Sequence, residues 1–275
     1  MNRLGIETIS VLGLPPVAFV NLAADLGCAF ISTGLTQLHI NPHNYPSFSL
    51  LEDANLRREM VAAMRDRGVS ISLGEGLTAR EDADIRDRAH ELDIMAELGI
   101  KRINTVSLDP DLGRTFDKFA ILAEMAAVRG IETTTEFAPG LTVQNLTTAI
   151  AAVRHVGRPD FRLLIDTMHF FRSGSKLADL KALDPDMIGY VQLCDAPLKP
   201  RFDTYMQEAM TERMVPGTGE APLRDILAAV PRHLVVALEI PLLSQAEAGV
   251  GPYERLLPCV EAARNLLAQL ETLPA

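Results

Sequence analysis

Short β-rich apolar runs alternate along this chain with stretches whose apolar positions recur at the helical period. Each pair predicts one strand followed by one helix, the pattern of βα units on a parallel sheet. The first strand is predicted at Leu4–Leu12 with its helix at Pro16–Leu26, and the second at Phe30–Gln37 with a helix at Leu51–Arg67 after a long loop. Strand three is predicted at Val69–Gly74 with helix Ala83–Leu98, and strand four at Ile100–Leu108 with helix Thr115–Arg129. Strand five covers Ile131–Phe137 and precedes helix Val143–Val156; strand six covers Phe161–Thr167 and precedes a short helix near Lys176–Leu183. Strand seven covers Met187–Cys194, and a longer connection leads to helix Leu223–Val230. Strand eight covers Leu234–Ile240, and Tyr253–Leu270 forms the last helix. Gly27, Gly68, Gly99, Gly130 and Gly157 sit just before predicted strands, where a helix ends in a left-handed residue.

Eight such units, about 30 residues each, are enough to close a (β/α)8 barrel, the TIM barrel. The rival is an open doubly wound sheet, which places a GxGxxG turn after its first strand. Here Val11-Leu12-Gly13-Leu14-Pro15 follows instead. The reading is therefore a single α/β domain over residues 1–275 with no linker or low-complexity tract. At 48% apolar residues the chain has material for a large core. No apolar run is long enough for a membrane span. Glu7, Gly13, Pro15 and Pro16 spoil any signal peptide. Three cysteines (Cys28, Cys194 and Cys259) without metal-finger spacing fit a reduced, cytoplasmic setting. A formal charge of −10 argues against a nucleic-acid partner. Self-association as a homo-oligomer is left open.

In a barrel, chemistry gathers where strands end and βα loops begin. Glu136 ends strand five, Asp166 ends strand six, Gln192 lies near the end of strand seven, and Glu239 ends strand eight. His169 follows Asp166 by three residues. A single acidic strand end is more often a cap or a salt-bridge partner, but three converging carboxylates repel one another unless a cation lies between them. One divalent metal ion bound by Glu136, Asp166, Gln192 and Glu239 resolves that repulsion. An all-oxygen shell suits Mn2+ or Mg2+ first, with Co2+ or Zn2+ as substitutes. Glu7 and Glu75 are candidate pocket residues, and Asn104 has a face that periodicity does not fix. His39 and His43 lie in the long second loop. Lys199, Arg201 and Arg213 lie in the seventh, among Asp203, Glu208 and Glu212. The Pro216-Gly217-Thr218-Gly219 stretch offers backbone N–H groups to an anion, or is a tight turn with no ligand.

The strand-five Glu, Ile165-Asp166-Thr167-Met168-His169, Val191-Gln192-Leu193-Cys194-Asp195, Val215-Pro216-Gly217-Thr218-Gly219-Glu220 and Leu238-Glu239-Ile240 together resemble the sugar phosphate isomerase/epimerase family of xylose-isomerase-like barrels. The resemblance spans most of the chain and is specific in its second half. It implies metal ligation by Glu136, Asp166 and Glu239, and substrate contact by His169. The fourth ligand of that family is usually His, where this chain has Gln192; certain 3-dehydroshikimate dehydratases are similar in carrying Gln there. The sibling endonuclease IV group needs a His-rich three-metal cluster and a basic DNA face, which this sequence does not supply.

The resemblance implies an isomerase or epimerase acting on a small polyhydroxylated carbonyl compound, a sugar or sugar phosphate. Glu136 and Glu239 would be its proton-transferring groups, and His169, Arg213 and Glu75 would bind substrate. A dehydratase of a cyclic polyol ketone, such as 3-dehydroshikimate or an inosose, is the alternative. A non-catalytic metal-stabilised binding protein is a third reading, against which the retention of both glutamates argues.

Overall fold

In a computed structural model describing residues 2–271, eight parallel strands close into one barrel in sequence order, β1 pairing with both β2 and β8. The units run β1 (Leu4–Ile6), α1 (Pro16–Asp25), β2 (Phe30–Thr33), α2 (Ala54–Arg67), β3 (Ser70–Ala79), α3 (Ala89–Glu97), β4 (Arg102–Ser107), α4 (Leu112–Ala127), β5 (Glu132–Glu136) and α5 (Leu146–Val156). They continue with β6 (Phe161–Asp166), α6 (Thr167–Arg172), α7 (Leu177–Lys181), β7 (Ile188–Leu193), α8 (Tyr205–Thr211), α9 (Leu223–Ala228), β8 (Val236–Leu238), α10 (Leu243–Glu247) and α11 (Pro252–Glu271). This is the (β/α)8 barrel that the unit count predicts.

Two apolar layers hold it. Between sheet and helices runs a continuous buried shell that includes Phe119, Phe161, Ile165, Val191, Leu256 and Val260. Inside the barrel a second cluster joins Leu73, Leu164, Tyr190 and Ala237. β6 (Phe161–Asp166) and β7 (Ile188–Leu193) are buried on both faces and read as near-continuous apolar runs rather than alternations, whereas β5 buries three threonines. Asp53, Asp111 and Asn145 cap α2, α4 and α5 by accepting backbone N–H groups, and Gly68 and Gly157 end α2 and α5 with φ of 67° and 64°. Among the described residues no helix is long and apolar enough to cross a membrane.

Several boundaries differ from the sequence reading, each for a local reason. β1 stops at Ile6 because the next residues form a 3-10 turn, Thr8–Val11, whose Thr8 N–H donates to Ser32 Oγ rather than to a strand. β3 runs on to Ala79 through a register shift between Gly74 and Leu77, with Gly76 at φ 95°. The predicted Ala83–Leu98 helix begins as a 3-10 turn at Ile85–Arg88. β6 is followed at once by α6, α8 lies within the long seventh loop, and α10 follows β8; none of these three short helices is legible as a helical period.

Candidate metal and substrate site at the barrel mouth

Strand register fixes which side chains share the inner face. Glu136 pairs with Leu164, two residues before Asp166; Asp166 pairs with Gln192; Gln192 pairs with Ala237, two residues before Glu239. Even steps preserve the face of a pleated strand, and Leu164 and Ala237 belong to the interior cluster. Glu136, Asp166, Gln192 and Glu239 therefore all sit on the inner side of the C-terminal mouth, and each is buried. His169 is brought to them by α6. Asp166 caps that helix, its Oδ1 accepting the His169 N–H at 2.7 Å, so the turn swings the imidazole back over the strand ends. The His169 Nε2 lies 3.1 Å from Glu136 Oε1. Ligand-capable atoms of Glu136, Asp166 and His169 lie within 4.8 Å of one another. His169 is thus a helical residue of the cluster and not a loop histidine bonded to backbone.

Arg213 is the cation of this site. It is buried, donates from Nε to Ala209 O at 2.8 Å, and places Nη1 on Asp166 Oδ2. The same Nη1 lies 2.8 Å from Glu239 Oε2, an ion pair without hydrogen-bond alignment, since that oxygen has no hydrogen-bond partner. Burial pushes the Asp166 carboxyl upward, but the charge of Arg213, then of His169, outweighs it and holds Asp166 well below the usual carboxylate range. Glu239 goes the other way. Burial raises it well above its ordinary value against the pull of Arg213, and the neighbouring Glu136 and Asp166 add to the rise. Asn104 faces inward and donates from Nδ2 to Glu136 Oε2 at 2.8 Å, fixing the Glu136 rotamer. Thr134 in turn donates to Asn104 Oδ1 at 3.2 Å.

A cavity of about 670 Å³ opens above these groups. Glu75, Asn104, Glu136, His169, Arg213 and Glu239 line it. The second loop supplies Gln37, Leu38 and His39 to the wall, and Met206 and Met210 of α8 close the opposite rim. The volume suits a small polar molecule.

The profile of the xylose isomerase-like TIM barrel family matches residues 20–250. The chain belongs to that family. No curated protein matches the sequence. Solved structures similar to it include an IolI protein with a bound zinc atom, 18% identical at TM-score 0.80, over 98% of this chain and 100% of that one. A probable 3-DHS dehydratase, AsbF of Bacillus anthracis, is 15% identical at TM-score 0.73, over 96% and 99%. A D-allulose 3-epimerase from Methylomonas sp. is 15% identical at TM-score 0.68, over 96% and 97%. At such identities the likeness is one of fold.

Within this xylose isomerase-like barrel the residues fit a divalent ion. The Gln192 Oε1 is buried and has no hydrogen-bond partner, an arrangement that costs about 1–3 kcal/mol unless something electropositive meets it. Glu239 Oε2 is likewise without an aligned donor. Glu136 and Asp166 gather with His169, while Glu239 joins them only through the Arg213 nitrogen that it shares with Asp166. The cluster also brings an imidazole nitrogen, that of His169, within reach of the same point, a donor that Zn2+ accepts.

The seventh loop pairs its own charges. The glycine turn of the seventh loop binds no free anion, because its anion is Asp195. That carboxylate accepts the N–H groups of Gly217 and Gly219 at 2.9 Å, of Ala221 at 3.1 Å and of Ala196 at 2.8 Å. Arg201 is bound to Glu208 and to the Glu212 carbonyl, so it is a structural cation. Sequence reasoning also missed Tyr205, whose hydroxyl meets His169 Nδ1. Burial pushes the Tyr205 phenol up, so it meets the His169 ring as a protonated hydroxyl. Nothing in the sequence signals this pairing, because the two residues lie 36 positions apart and the loop between them must fold first.

Proposed function

We propose that this protein is a divalent-metal-dependent isomerase or epimerase that removes the proton α to a carbonyl in a small polyhydroxylated substrate. The convergence of Glu136, Asp166, Gln192 and Glu239 on the inner face, with an orphaned Gln192 oxygen among them, carries the reading. These four side chains would hold the ion, with His169 close enough to join or to bind substrate. Bound there, the ion supplies Lewis-acid polarisation of a carbonyl and its neighbouring hydroxyl. Mn2+ and Mg2+ remain the first candidates, with Co2+ or Zn2+ as alternatives.

The chain's own groups divide the remaining work. Glu136, oriented by Asn104, and Glu239 lie three strands apart, so each approaches the substrate from its own side. One takes the α proton and the other returns one, which gives an epimer across the same carbon or an isomer at the next. His169 Nε2–H donates to a substrate oxygen. Arg213 lends charge to Asp166 and Glu239 from the cavity wall. The second loop and α8 narrow the mouth against bulk water. A reduced, cytoplasmic setting fits the three buried free cysteines.

Protein supplemented with Mn2+, incubated with ketoses, inososes and 3-dehydroshikimate in D2O and followed by NMR, tests the reading. Deuterium at the α carbon of one of these supports it. If the metal-loaded protein exchanges none of them while binding them, the enolising role is wrong.

A further inference from the structure

Two short helices of the mouth are joined by two rungs of the same spacing. On α6, His169 and Arg172 lie three residues apart, and so on one side of the helix. On α8, Tyr205 and Glu208 lie three apart in the same way. The Tyr205 hydroxyl meets His169 Nδ1, and the two rings tilt by 57° with their centroids 5.6 Å apart. One turn along, Arg172 Nη2 donates to Glu208 Oε2 at 2.5 Å. The Glu208 carboxylate is fully buried, and its Oε1 accepts from Arg201 Nε at 3.2 Å. Both arginines also hold the seventh loop. Arg172 Nη1 donates to the Leu198 carbonyl and Arg201 Nη2 to the Glu212 carbonyl, each at 2.9 Å.

Another side of α8 faces the cavity. Met206, Ala209 and Met210 line it, and the Ala209 carbonyl accepts from Arg213 Nε at 2.8 Å. A helix of seven residues is marginal alone, so α8 lies where its side contacts put it. Of those contacts, the Arg172–Glu208 pair lies outside the cavity lining. Burying an ion pair costs about what its attraction returns, so an apolar pair in the same place is often no less stabilising. What charge adds is geometry, because paired guanidinium and carboxylate atoms accept only a narrow range of distances and angles. A buried pair between α6 and α8 therefore fixes how one helix lies on the other, and with it the Tyr205–His169 contact three residues away on each.

We propose that α8 is a positioning arm of this site: Tyr205 sets the imidazole of His169, and the Arg172–Glu208 pair holds that contact and the seat of Arg213 in place together. Tyr205, Arg172 and Glu208 are positioning residues, which act through His169 and Arg213 and not on substrate. The helix that a bound molecule meets through Met206 and Met210 is thus the helix that aims the imidazole and carries the carbonyl under Arg213. The consequence for turnover rests on the enolising reading above. The placement of the imidazole does not.

Protein labelled with 15N at histidine, metal-free and loaded with Mg2+, reads the placement by NMR without catalysis. The His169 ring signals are assigned by their loss in His169→Asn. Tyr205→Phe removes one oxygen and keeps the ring, and is expected to shift the His169 Nδ1 signal. Arg172→Met is expected to shift it too, although Arg172 does not touch the imidazole, and Arg172→Lys, which keeps a charge for Glu208, is expected to return most of the parental signal. Glu208→Gln leaves Arg172 an acceptor and removes the charge; a smaller shift is expected there, and this variant decides the second rung where Arg172→Met does not fold. A purely structural pair would lower the melting temperature and leave the imidazole alone. An unmoved His169 signal in Tyr205→Phe, or in the folded variants of the second rung, therefore overturns the proposal. On a substrate whose α proton the Mg2+-loaded parent exchanges in D2O, Tyr205→Phe is expected to lower exchange at saturating substrate by ~10–100-fold, as for loss of an outer-shell partner. Exchange at the parental rate overturns the proposal. Failure of the parent to exchange any α proton would remove the enolising reading instead, and the His169 signals would still decide the placement.

Discussion

Arg213 and Asp166 form a buried ion pair through Arg213 Nη1 and Asp166 Oδ2, and Glu239 shares the same guanidinium nitrogen at 2.8 Å. One arginine therefore neutralises what a divalent ion would otherwise have to neutralise alone. Replacing it by Met should leave two buried carboxylates uncompensated, at a cost of about 3–5 kcal/mol in the metal-free protein. Divalent metal should restore much of that loss. Thermal unfolding with and without Mn2+ checks it; an equal loss in both conditions would show that Arg213 acts by packing alone.

Gln192 is predicted to sense the metal directly. Gln192→His should keep metal binding and shift its preference towards Zn2+ and Co2+, since an imidazole nitrogen is a softer donor than an amide oxygen. Gln192→Leu should leave the metal-free fold intact, because it removes an orphaned oxygen rather than a hydrogen bond, and should weaken metal binding at least tenfold. Competition titrations with Mn2+ and Zn2+ read both effects. Unchanged affinity and preference in the two variants would place Gln192 outside the coordination sphere.

Glu239→Gln and Glu136→Gln each keep the shape and an oxygen donor while removing a base. Turnover of a verified substrate at saturating metal should fall by ~10²–10⁴-fold in each, with only a moderate loss of metal affinity. In an epimerase, one variant should still exchange the α proton from one face without completing inversion. Full activity in either would return Asp166 or His169 to consideration as the proton carrier.

Asp195 is predicted to be a structural anchor. It accepts four backbone N–H groups, so Asp195→Ala should destabilise the seventh loop by at least about 2 kcal/mol. Gly219→Ala should do similar damage by a different route, because a Cβ there would stand 2.4 Å from Asp195 Oδ1 and 2.7 Å from the Ala196 carbonyl. Arg213 lies in the same connection, so proteolysis of that loop and metal affinity should change together. Unaltered proteolysis in Asp195→Ala would contradict the anchoring role.

The stability of the barrel should also fall in acid through Asp109. Hydrogen bonds from Arg114, then from Lys118, outweigh its burial and hold it far below its ordinary 3.8. A depressed carboxyl stabilises the fold above its unfolded value and loses that contribution as pH falls towards its folded one. Between about pH 5 and pH 2 the parent should therefore lose more unfolding free energy than Asp109→Asn does. Parallel denaturation curves for the two proteins over that range would refute it.

By itself the sequence determined the architecture and most of the polar residues that gather on the β5 to β8 side of the mouth. Strands buried on both faces are built of apolar or β-branched residues, so Glu136, Asp166, Gln192 and Glu239 stood out as the charged or amide residues ending such runs; period and burial are properties of a local segment. Tertiary structure decided what local patterns do not encode. The face of Asn104 depended on pairing with β5, and the place of His169 depended on Asp166 capping a helix too short to show a period. Arg213 and Asp195 each looked like one more charge in a mixed loop until the loop closed over β6 and β7. The hydrogen bond from Ser32 to Glu75 needed β2 and β3 to pair, and no sequence spacing of 43 residues conveys that contact. Distant pairings arise only when the barrel closes, because closure is what brings the ends of non-neighbouring strands into one small volume.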